Sequence, residues 1–151
     1  MKSFDVVVIG AGPGGYVAAI RASQCGLKTA LIEKDKDLGG TCLLRGCIPT
    51  KSLLHSADLY EEMQHAGDHG IVVTGLSFDF AGVQKARTKI VRKSAAGVAY
   101  LMKKNKIEVI SGYGKIKDKH TIEVEKDGKK ESVAAKAIIL ATGSVPRHIP
   151  F

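Results

Sequence analysis

The chain has 151 residues, of which 44% are hydrophobic, and a formal net charge of +8. This length and composition predict one globular domain and exclude a chain that is mainly disordered. No apolar run approaches the ~20 residues that span a bilayer, and the first ten residues do not resemble a signal peptide, so a cytoplasmic protein without membrane contact is expected.

The first 33 residues predict a βαβ unit. Residues 4–9 form a short β-branched run, which is typical of a strand buried on both faces of a parallel sheet. Residues 16–25 have a helical pattern that ends at Gly26. Residues 28–32 predict a second strand, which ends at Glu33.

The next segment predicts a loop, a helix and a short strand. Residues 34–46 are expected to form the loop. Residues 51–64 are expected to be helical, with Pro49 in the first turn, where proline is tolerated. Residues 71–73 have the composition of a short strand.

Residues 79–104 form the longest periodic stretch and predict a helix. Its predicted apolar face consists of Val83, Ala86, Ile90, Ser94, either Gly97 or Val98, and Leu101. Residues 81–106 contain eight Lys and Arg residues and no acidic residue. Such a stripe is typical either of a solvated helix face or of a nucleic-acid contact. The chain has no Trp and few aromatic residues for base stacking, so a solvated face is favoured and no nucleic-acid partner is expected.

The last third of the chain has the pattern of strands. An antiparallel meander is predicted over residues 113–117, 121–126 and 131–134, with a hairpin turn at Asp127-Gly128. Further strands are predicted at residues 107–110 and 137–141. The whole pattern predicts an α/β, Rossmann-like domain: a parallel sheet with flanking helices and a small antiparallel β-meander.

A glycine-rich turn follows the first predicted strand and opens the first helix. It reads Gly10-Ala11-Gly12-Pro13-Gly14-Gly15 and matches G-x-G-x-x-G, with Glu33 18 residues after its last glycine. In this context the motif predicts a dinucleotide site, because the helix N-terminus attracts a pyrophosphate and the acidic residue can accept hydrogen bonds from an unphosphorylated ribose. The alternative is a glycine-rich turn that only precedes a core helix.

The three cysteines are the second chemical signal. Cys42 and Cys47 lie five positions apart, and Cys47 comes just before a predicted helix start that would stabilise a thiolate. The pair predicts a dithiol/disulfide couple. Two alternatives are a pair of buried structural cysteines and a zinc site, for which His55 is the only nearby third ligand, so no metal is expected. Cys25 is expected to be a small core residue.

The two signals are expected to work together. A redox disulfide must exchange two electrons with a partner, and the short connection over residues 34–41 would bring Cys42 towards a bound dinucleotide. Ala141-Thr142-Gly143, after a predicted strand, would let the backbone approach that cofactor. The alternative for this last segment is a plain turn at the end of a strand.

Five segments together resemble the flavin-dependent disulfide reductases, and within them the branch that oxidises dihydrolipoyl groups. They are residues 8–16, 33–34, 39–42, 46–51 and 141–144. The sequence departs from the family at Leu44, where Asn is usual. Glutathione- and mercury-reducing members of the family remain an alternative, as does an FAD-binding module without catalysis.

The resemblance implies FAD as the cofactor and assigns roles to individual residues. Cys47 would contact the flavin, Cys42 would exchange with the substrate, and Lys51 would lie near the flavin. The remaining cofactor contacts that it implies are Gly10, Gly12, Pro13, Gly14, Gly15, Glu33, Lys34, Gly39, Gly40, Thr41, Cys42, Gly114, Ala141, Thr142, Gly143 and Ser144.

The resemblance also implies a larger protein. Family members continue into an NAD-binding domain and a dimerisation domain, and this chain has one glycine fingerprint. Residues 1–151 would then be the FAD-binding domain of a homodimeric enzyme that uses NAD as co-substrate. Its partner would be the lipoyl-bearing carrier protein of a 2-oxo acid dehydrogenase complex.

Overall fold

A computed structural model describes residues 1–150, which contain one six-stranded mixed sheet. Four neighbouring strands run parallel in the order β3-β2-β1-β6, and β5 and β4 continue the sheet as antiparallel strands. The strands are β1 (Lys2–Ile9), β2 (Thr29–Glu33), β3 (Glu108–Ser111), β4 (Tyr113–Asp118), β5 (Thr121–Lys126) and β6 (Lys129–Leu140). The predicted α/β fold with a β-meander is confirmed.

Four α-helices connect and cover these strands. They are α1 (Pro13–Gln24), α2 (Gly40–Arg45), α3 (Cys47–Gln64) and α4 (Phe80–Lys104), and a short 3-10 helix spans Ala66–His69. α4 begins where the sequence predicts, because the Asp79 carboxylate caps it by accepting a hydrogen bond from the N–H of Ala81 at 3.0 Å. No helix within residues 1–150 is both long and apolar enough to cross a membrane.

The sheet separates two apolar clusters. Val6 and Val8 of β1 pack with α1, α2 and α4 on one face. Val7 and Ile9 pack on the other face with Ile122 and further residues of the meander. The second half of the central strand, residues 6–9, is therefore buried on both sides, which is why this part is apolar throughout instead of alternating.

β6 joins the two halves of the sheet. Its residues 129–134 pair antiparallel with β5 across a turn in which Asp127 and Gly128 have φ values of 51° and 73°, as a hairpin of this kind requires. The same strand pairs parallel with β1 from Val133 to Leu140. The prediction of two separate strands here was wrong, because one 12-residue strand satisfies both neighbours.

Two further predictions of secondary structure are corrected. The expected loop over residues 34–46 contains the helix α2. Residues 71–73 are not a strand: Ile71, Val72 and Val73 are exposed and pair with no other strand in the described part of the chain. β-branched composition alone does not form a strand when no partner edge is adjacent.

The buried faces of α4 and α1 differ from those predicted. Val98 of α4 faces the core, which confirms one of the two alternatives predicted there, and Ala95 and Met102 face the core as well. The predicted Ile90 and Leu101 are exposed. Cys25, predicted to be a core residue, is exposed because it caps the end of α1, beyond the face that packs on the sheet.

Candidate active site

A cleft of about 430 Å³ lies at the carboxyl ends of β1, β2 and β6. This edge of an open α/β sheet is where ligands bind, because strands end there and loops diverge. Its lining residues are Ile9, Gly10, Gly12, Pro13, Ile32, Glu33, Lys34, Asp35, Gly40, Thr41, Cys42, Arg45, Gly112, Tyr113, Gly114, Ala141, Thr142, Gly143, Ser144 and Val145.

The glycine-rich turn forms one wall, and two of its glycines are required by the fold itself. Gly10 has a φ of 102°, and a Cβ there would overlap the carbonyl oxygen of Ala141. A Cβ on Gly15 would overlap the carbonyl group of Gly10. These contacts hold the N-terminus of α1 and the end of β6 against the end of β1.

Gly12 is different, because the protein itself leaves space beside it. A Cβ on Gly12 would find its nearest protein atom, the Cα of Gly40, 3.9 Å away. Gly12 is also the N-cap of α1, where no side chain caps the helix and no acidic residue lies in the first turn. The free N–H groups and the open space beside them therefore fit a phosphate group of a dinucleotide.

Glu33 is a buried carboxylate, 8% exposed, held by two backbone donors. Its Oε2 accepts a hydrogen bond from the N–H of Ala11 at 2.7 Å, and its Oε1 accepts one from the N–H of Asp35 at 2.9 Å. Each oxygen keeps a second lone pair, so the carboxylate can still accept hydrogen bonds from the hydroxyls of a ribose. Glu33 therefore fixes the glycine-rich turn, and this role is additional to the ribose contact that the sequence predicts.

The redox segment, residues 39–47 with both cysteines of the pair, is attached directly to the glycine-rich turn. The N–H of Gly39 donates a hydrogen bond to the carbonyl oxygen of Ala11 at 2.9 Å. Gly40 has a φ of 61°, and a Cβ there would lie 2.5 Å from the Cα of Gly12. Because the start of α2 packs this closely on the turn, Cys42, two residues further on, forms part of the wall of the same cleft.

Cys42 and Cys47 are joined by a disulfide bond, and their Cα atoms are 4.7 Å apart. The predicted disulfide between the two cysteines is thereby confirmed, and its role as a redox couple stays a prediction. Cys42 is half-buried and Cys47 is exposed. Cys47 is the first residue of the 18-residue helix α3, whose N-terminus has no side-chain cap and no acidic residue in its first turn, so a thiolate there is stabilised by the helix.

Most of the predicted cofactor contacts lie together around the cleft. The cleft is lined by Gly10, Gly12 and Pro13, by Glu33 and Lys34, by residues 40–42, by Gly114 and by residues 141–144. Five predicted site residues lie outside its lining: Gly14, Gly15, Gly39, Cys47 and Lys51. Of these, Gly15 and Gly39 support the cleft from behind, while Lys51 is exposed on α3 one turn after Cys47.

Sequence reasoning missed several lining residues. Ile9 and Ile32 are the last apolar residues of β1 and β2, so the rule that ligands bind at the carboxyl ends of strands could have found them. Arg45 had no such signal: it reaches the cleft because its Nη2 lies 2.6 Å from Oδ2 of Asp35. This ion pair links α2 to the segment that follows Glu33.

Comparison with known proteins gives a consistent result. The pyridine nucleotide-disulphide oxidoreductase family matches residues 4–151. The dihydrolipoyl dehydrogenase of Bacillus subtilis (strain 168) is 49% identical over 97% of this chain and 33% of its own length, and that of Cupriavidus necator is 48% identical over 99% and 33%. The leghemoglobin reductase of Vigna unguiculata is 49% identical over 97% of this chain and 28% of its own length. The chain spans about a third of the length of the curated relatives it matches.

Proposed function

The chain belongs to the pyridine nucleotide-disulphide oxidoreductase family, and we propose that residues 1–151 are the FAD-binding domain of a dihydrolipoyl dehydrogenase. In this proposal the NAD-binding and dimerisation domains lie outside these residues. The complete protein is a homodimer that passes electrons from protein-bound dihydrolipoamide to NAD.

One observation carries the proposal: a disulfide and a dinucleotide-type cleft share a wall. Cys42 lines the cleft together with Gly12 and Glu33, and the hydrogen bond from Gly39 to Ala11 holds the two motifs together. A structural disulfide has no need of this position. A redox disulfide does, because its electrons must leave through a cofactor within contact distance.

In the proposed complex the residues around the cleft would hold FAD. Gly10, Gly12 and Pro13 line the cleft and would face the pyrophosphate at the N-terminus of α1. Gly14 and Gly15 complete this turn, and Glu33 would accept hydrogen bonds from the adenosine ribose. The other contacts in the proposal are Lys34, Gly39, Gly40, Thr41, Cys42, Lys51, Gly114, Ala141, Thr142, Gly143 and Ser144. FAD would supply the two-electron acceptor that returns the reduced cysteines to the disulfide.

The chemistry assigned to the chain itself is thiol–disulfide exchange. A substrate thiolate attacks Sγ of Cys42, the Cys42–Cys47 bond breaks, and its electron pair goes to Sγ of Cys47. The second substrate thiolate attacks the substrate sulfur bonded to Cys42, so the substrate leaves as a disulfide and Cys42 as a thiolate. Two electrons and two protons have then left the substrate, and the N-terminus of α3 stabilises the Cys47 thiolate.

The proposed partner is a lipoyl-bearing carrier protein of a 2-oxo acid dehydrogenase complex in the cytoplasm. A flavin disulfide reductase of the glutathione- or mercury-reducing type is the second candidate. The match to a leghemoglobin reductase, which is about as strong as the match to the dihydrolipoyl dehydrogenases, indicates that likeness over this part of the chain does not fix the substrate. Anaerobic reduction of the Cys42–Cys47 bond distinguishes the two. Each rate is divided by the rate at which the same thiol reduces a free small disulfide, which removes the intrinsic advantage of a dithiol. On this scale dihydrolipoamide should reduce the bond at least tenfold faster than glutathione, and the reverse order would favour the second candidate.

The cofactor part of the proposal can be tested with Gly12→Ala. At Gly12 the φ is −70°, and the nearest protein atom to an added Cβ is 3.9 Å away, so the fold should tolerate the methyl group. The methyl group would however occupy the space proposed for the pyrophosphate. We expect Gly12→Ala to weaken FAD binding at least tenfold in a fluorescence titration without lowering the free energy of unfolding.

Gly97→Ala is the matched control, because a Cβ on Gly97 of α4 would meet no atom within 4 Å and lies outside the cleft. It should leave FAD affinity unchanged. ADP-ribose should compete with FAD, and we expect a modest affinity because, in the proposal, the domains that would cover the flavin lie outside these residues. Binding of FMN in preference to FAD, or equal FAD affinity of Gly12→Ala and the unsubstituted chain, would contradict the assignment of the cleft.

A further inference from the structure

The redox segment is fastened to the rest of the cleft near both of its ends. At its start the N–H of Gly39 donates a hydrogen bond to the carbonyl oxygen of Ala11 at 2.9 Å. Near its end Nη2 of Arg45 donates a hydrogen bond to Oδ2 of Asp35 at 2.6 Å, which makes an ion pair. Both attachments lead to Glu33, because its carboxylate accepts the N–H groups of Ala11 and Asp35. Thiol–disulfide exchange by itself does not require the ion pair.

Arg45 lies within the ring that the disulfide closes. The ring runs from Cys42 to Cys47, and Arg45 is the last residue of α2. Leu43, also in the ring, is buried in the apolar cluster under α2. Residues two positions apart on a helix project to nearly opposite sides, so Leu43 holds the inner side of α2 and Arg45 holds the outer side. The ion pair therefore restrains the same short stretch of chain as the disulfide.

Two restraints on one stretch of chain support each other. While the disulfide is intact, Arg45 has few positions to sample, so its ion pair with Asp35 costs little conformational entropy. When the disulfide is reduced, the ring opens, and the same ion pair has to order a more mobile stretch. The ion pair is therefore stronger in the oxidised chain, and by reciprocity it favours the oxidised form.

We propose that Arg45 is a positioning residue for the redox couple, and that its ion pair with Asp35 favours the Cys42–Cys47 disulfide over the dithiol. The inference deepens the proposed function and rests on it, since it takes the two cysteines to cycle between these states. The Arg45 side chain is 58% exposed and that of Asp35 is 27% exposed. An ion pair with this exposure changes an equilibrium constant by at most about fivefold, and about threefold is expected here.

The direct test is the equilibrium between the full chain and dithiothreitol in the absence of FAD. The two thiols of dithiothreitol lose two electrons and two protons and form its ring disulfide, while the Cys42–Cys47 bond gains them and becomes two thiols. After anaerobic equilibration at neutral pH the thiols are blocked, and mass spectrometry measures the reduced fraction. We expect Arg45→Gln and Asp35→Asn each to raise the equilibrium constant for reduction about threefold.

The direction of this change distinguishes a restraint from a direct effect of charge on the thiols. A positive charge near a cysteine stabilises its thiolate, so loss of the Arg45 charge would by itself lower the constant for reduction. Lys36→Gln is the matched control: it removes an exposed positive charge beside Asp35 that forms no ion pair within residues 1–150. This variant should leave the constant unchanged, and Arg45→Lys should restore at least half of the effect.

Two further measurements separate the proposal from a merely structural role. In the double variant with Arg45→Gln and Asp35→Asn the constant should rise no more than in either single variant, because both changes remove one interaction. In urea unfolding Arg45→Gln should destabilise the oxidised chain more than the reduced chain. A residue that only supports the fold would destabilise both chains equally and leave the redox equilibrium unchanged.

Four results would overturn the proposal: an unchanged or lowered constant in Arg45→Gln, an equal rise in Lys36→Gln, additive changes in the double variant, or equal destabilisation of the oxidised and reduced chains. If one of these occurs while dihydrolipoamide still reduces the bond in preference to glutathione, the proposed function stands without this role for Arg45. A bond that dithiothreitol cannot reduce in the folded chain would contradict the proposed function as well.

Discussion

Replacing the buried carboxylate of Glu33 by an amide should destabilise the glycine-rich turn. The carboxylate accepts two backbone hydrogen bonds, from Ala11 at 2.7 Å and from Asp35 at 2.9 Å. In Glu33→Gln one of these donors would face an NH₂ group, and the other would donate to a neutral oxygen. A hydrogen bond to a charged group contributes about 1.5–3 kcal/mol and a neutral one about 1 kcal/mol, so a loss of about 2–4 kcal/mol in the free energy of unfolding is expected.

Urea unfolding followed by circular dichroism at neutral pH measures this loss. The dependence on urea should keep its slope, since the surface exposed on unfolding does not change. Glu62→Gln is the matched control, because Glu62 is exposed on α3 and its side chain makes no hydrogen bond among residues 1–150; it should change the free energy by less than about 0.5 kcal/mol. If Glu33→Gln is no more destabilising than this control, the two hydrogen bonds do not hold the turn.

Three further results are expected. Asp5→Asn should flatten the loss of stability below about pH 5, because the pKa of Asp5 is lowered in the folded chain, chiefly by the hydrogen bond from Lys136. The stabilisation by this carboxylate is present above its pKa in the unfolded chain and is lost as the pH falls through its pKa in the folded chain. An unchanged acid limb of the pH–stability curve would contradict this. Gly10→Ala should lower the free energy of unfolding in urea by about 2–5 kcal/mol, because the position has a positive φ and the added Cβ would overlap the carbonyl oxygen of Ala141. A decrease below about 1 kcal/mol would refute the close packing of Gly10 on Ala141. Mass spectrometry after thiol blocking should recover Cys42 and Cys47 in one cross-linked peptide from oxidised chain, whereas two blocked thiols would count against the disulfide.

The sequence predicts well those parts of the structure that depend on local chemistry. The strand, turn and helix around Gly10 follow from an apolar run and a steric requirement that only glycine meets. The turn at Asp127-Gly128 is predicted for the same reason, since both residues adopt positive φ. The resemblance of five segments to one family also predicts that the Cys42–Cys47 motif and the G-x-G-x-x-G motif occur together in one domain.

Features that depend on tertiary packing could not be predicted in this way. Ala95 and Met102 of α4 are buried while the predicted Ile90 remains exposed, because the tertiary contacts of the whole helix determine which side faces the core. The helix α2 forms where Gly39 and Gly40 are fixed against the glycine-rich turn, a contact between segments about 28 residues apart. The second role of Glu33, as acceptor for the turn, likewise appears only once the turn has folded.

The most direct test of the central claim is the absorption spectrum of two cysteine variants saturated with FAD. In Cys42→Ser the thiolate of Cys47 remains, and Cys47 begins the helix that stabilises it. We predict a long-wavelength charge-transfer band between this thiolate and the oxidised flavin in Cys42→Ser, and no such band in Cys47→Ser. A band in Cys47→Ser alone would reverse the roles of the two thiols, and no band in either variant would contradict the claim that the disulfide and the flavin share one site.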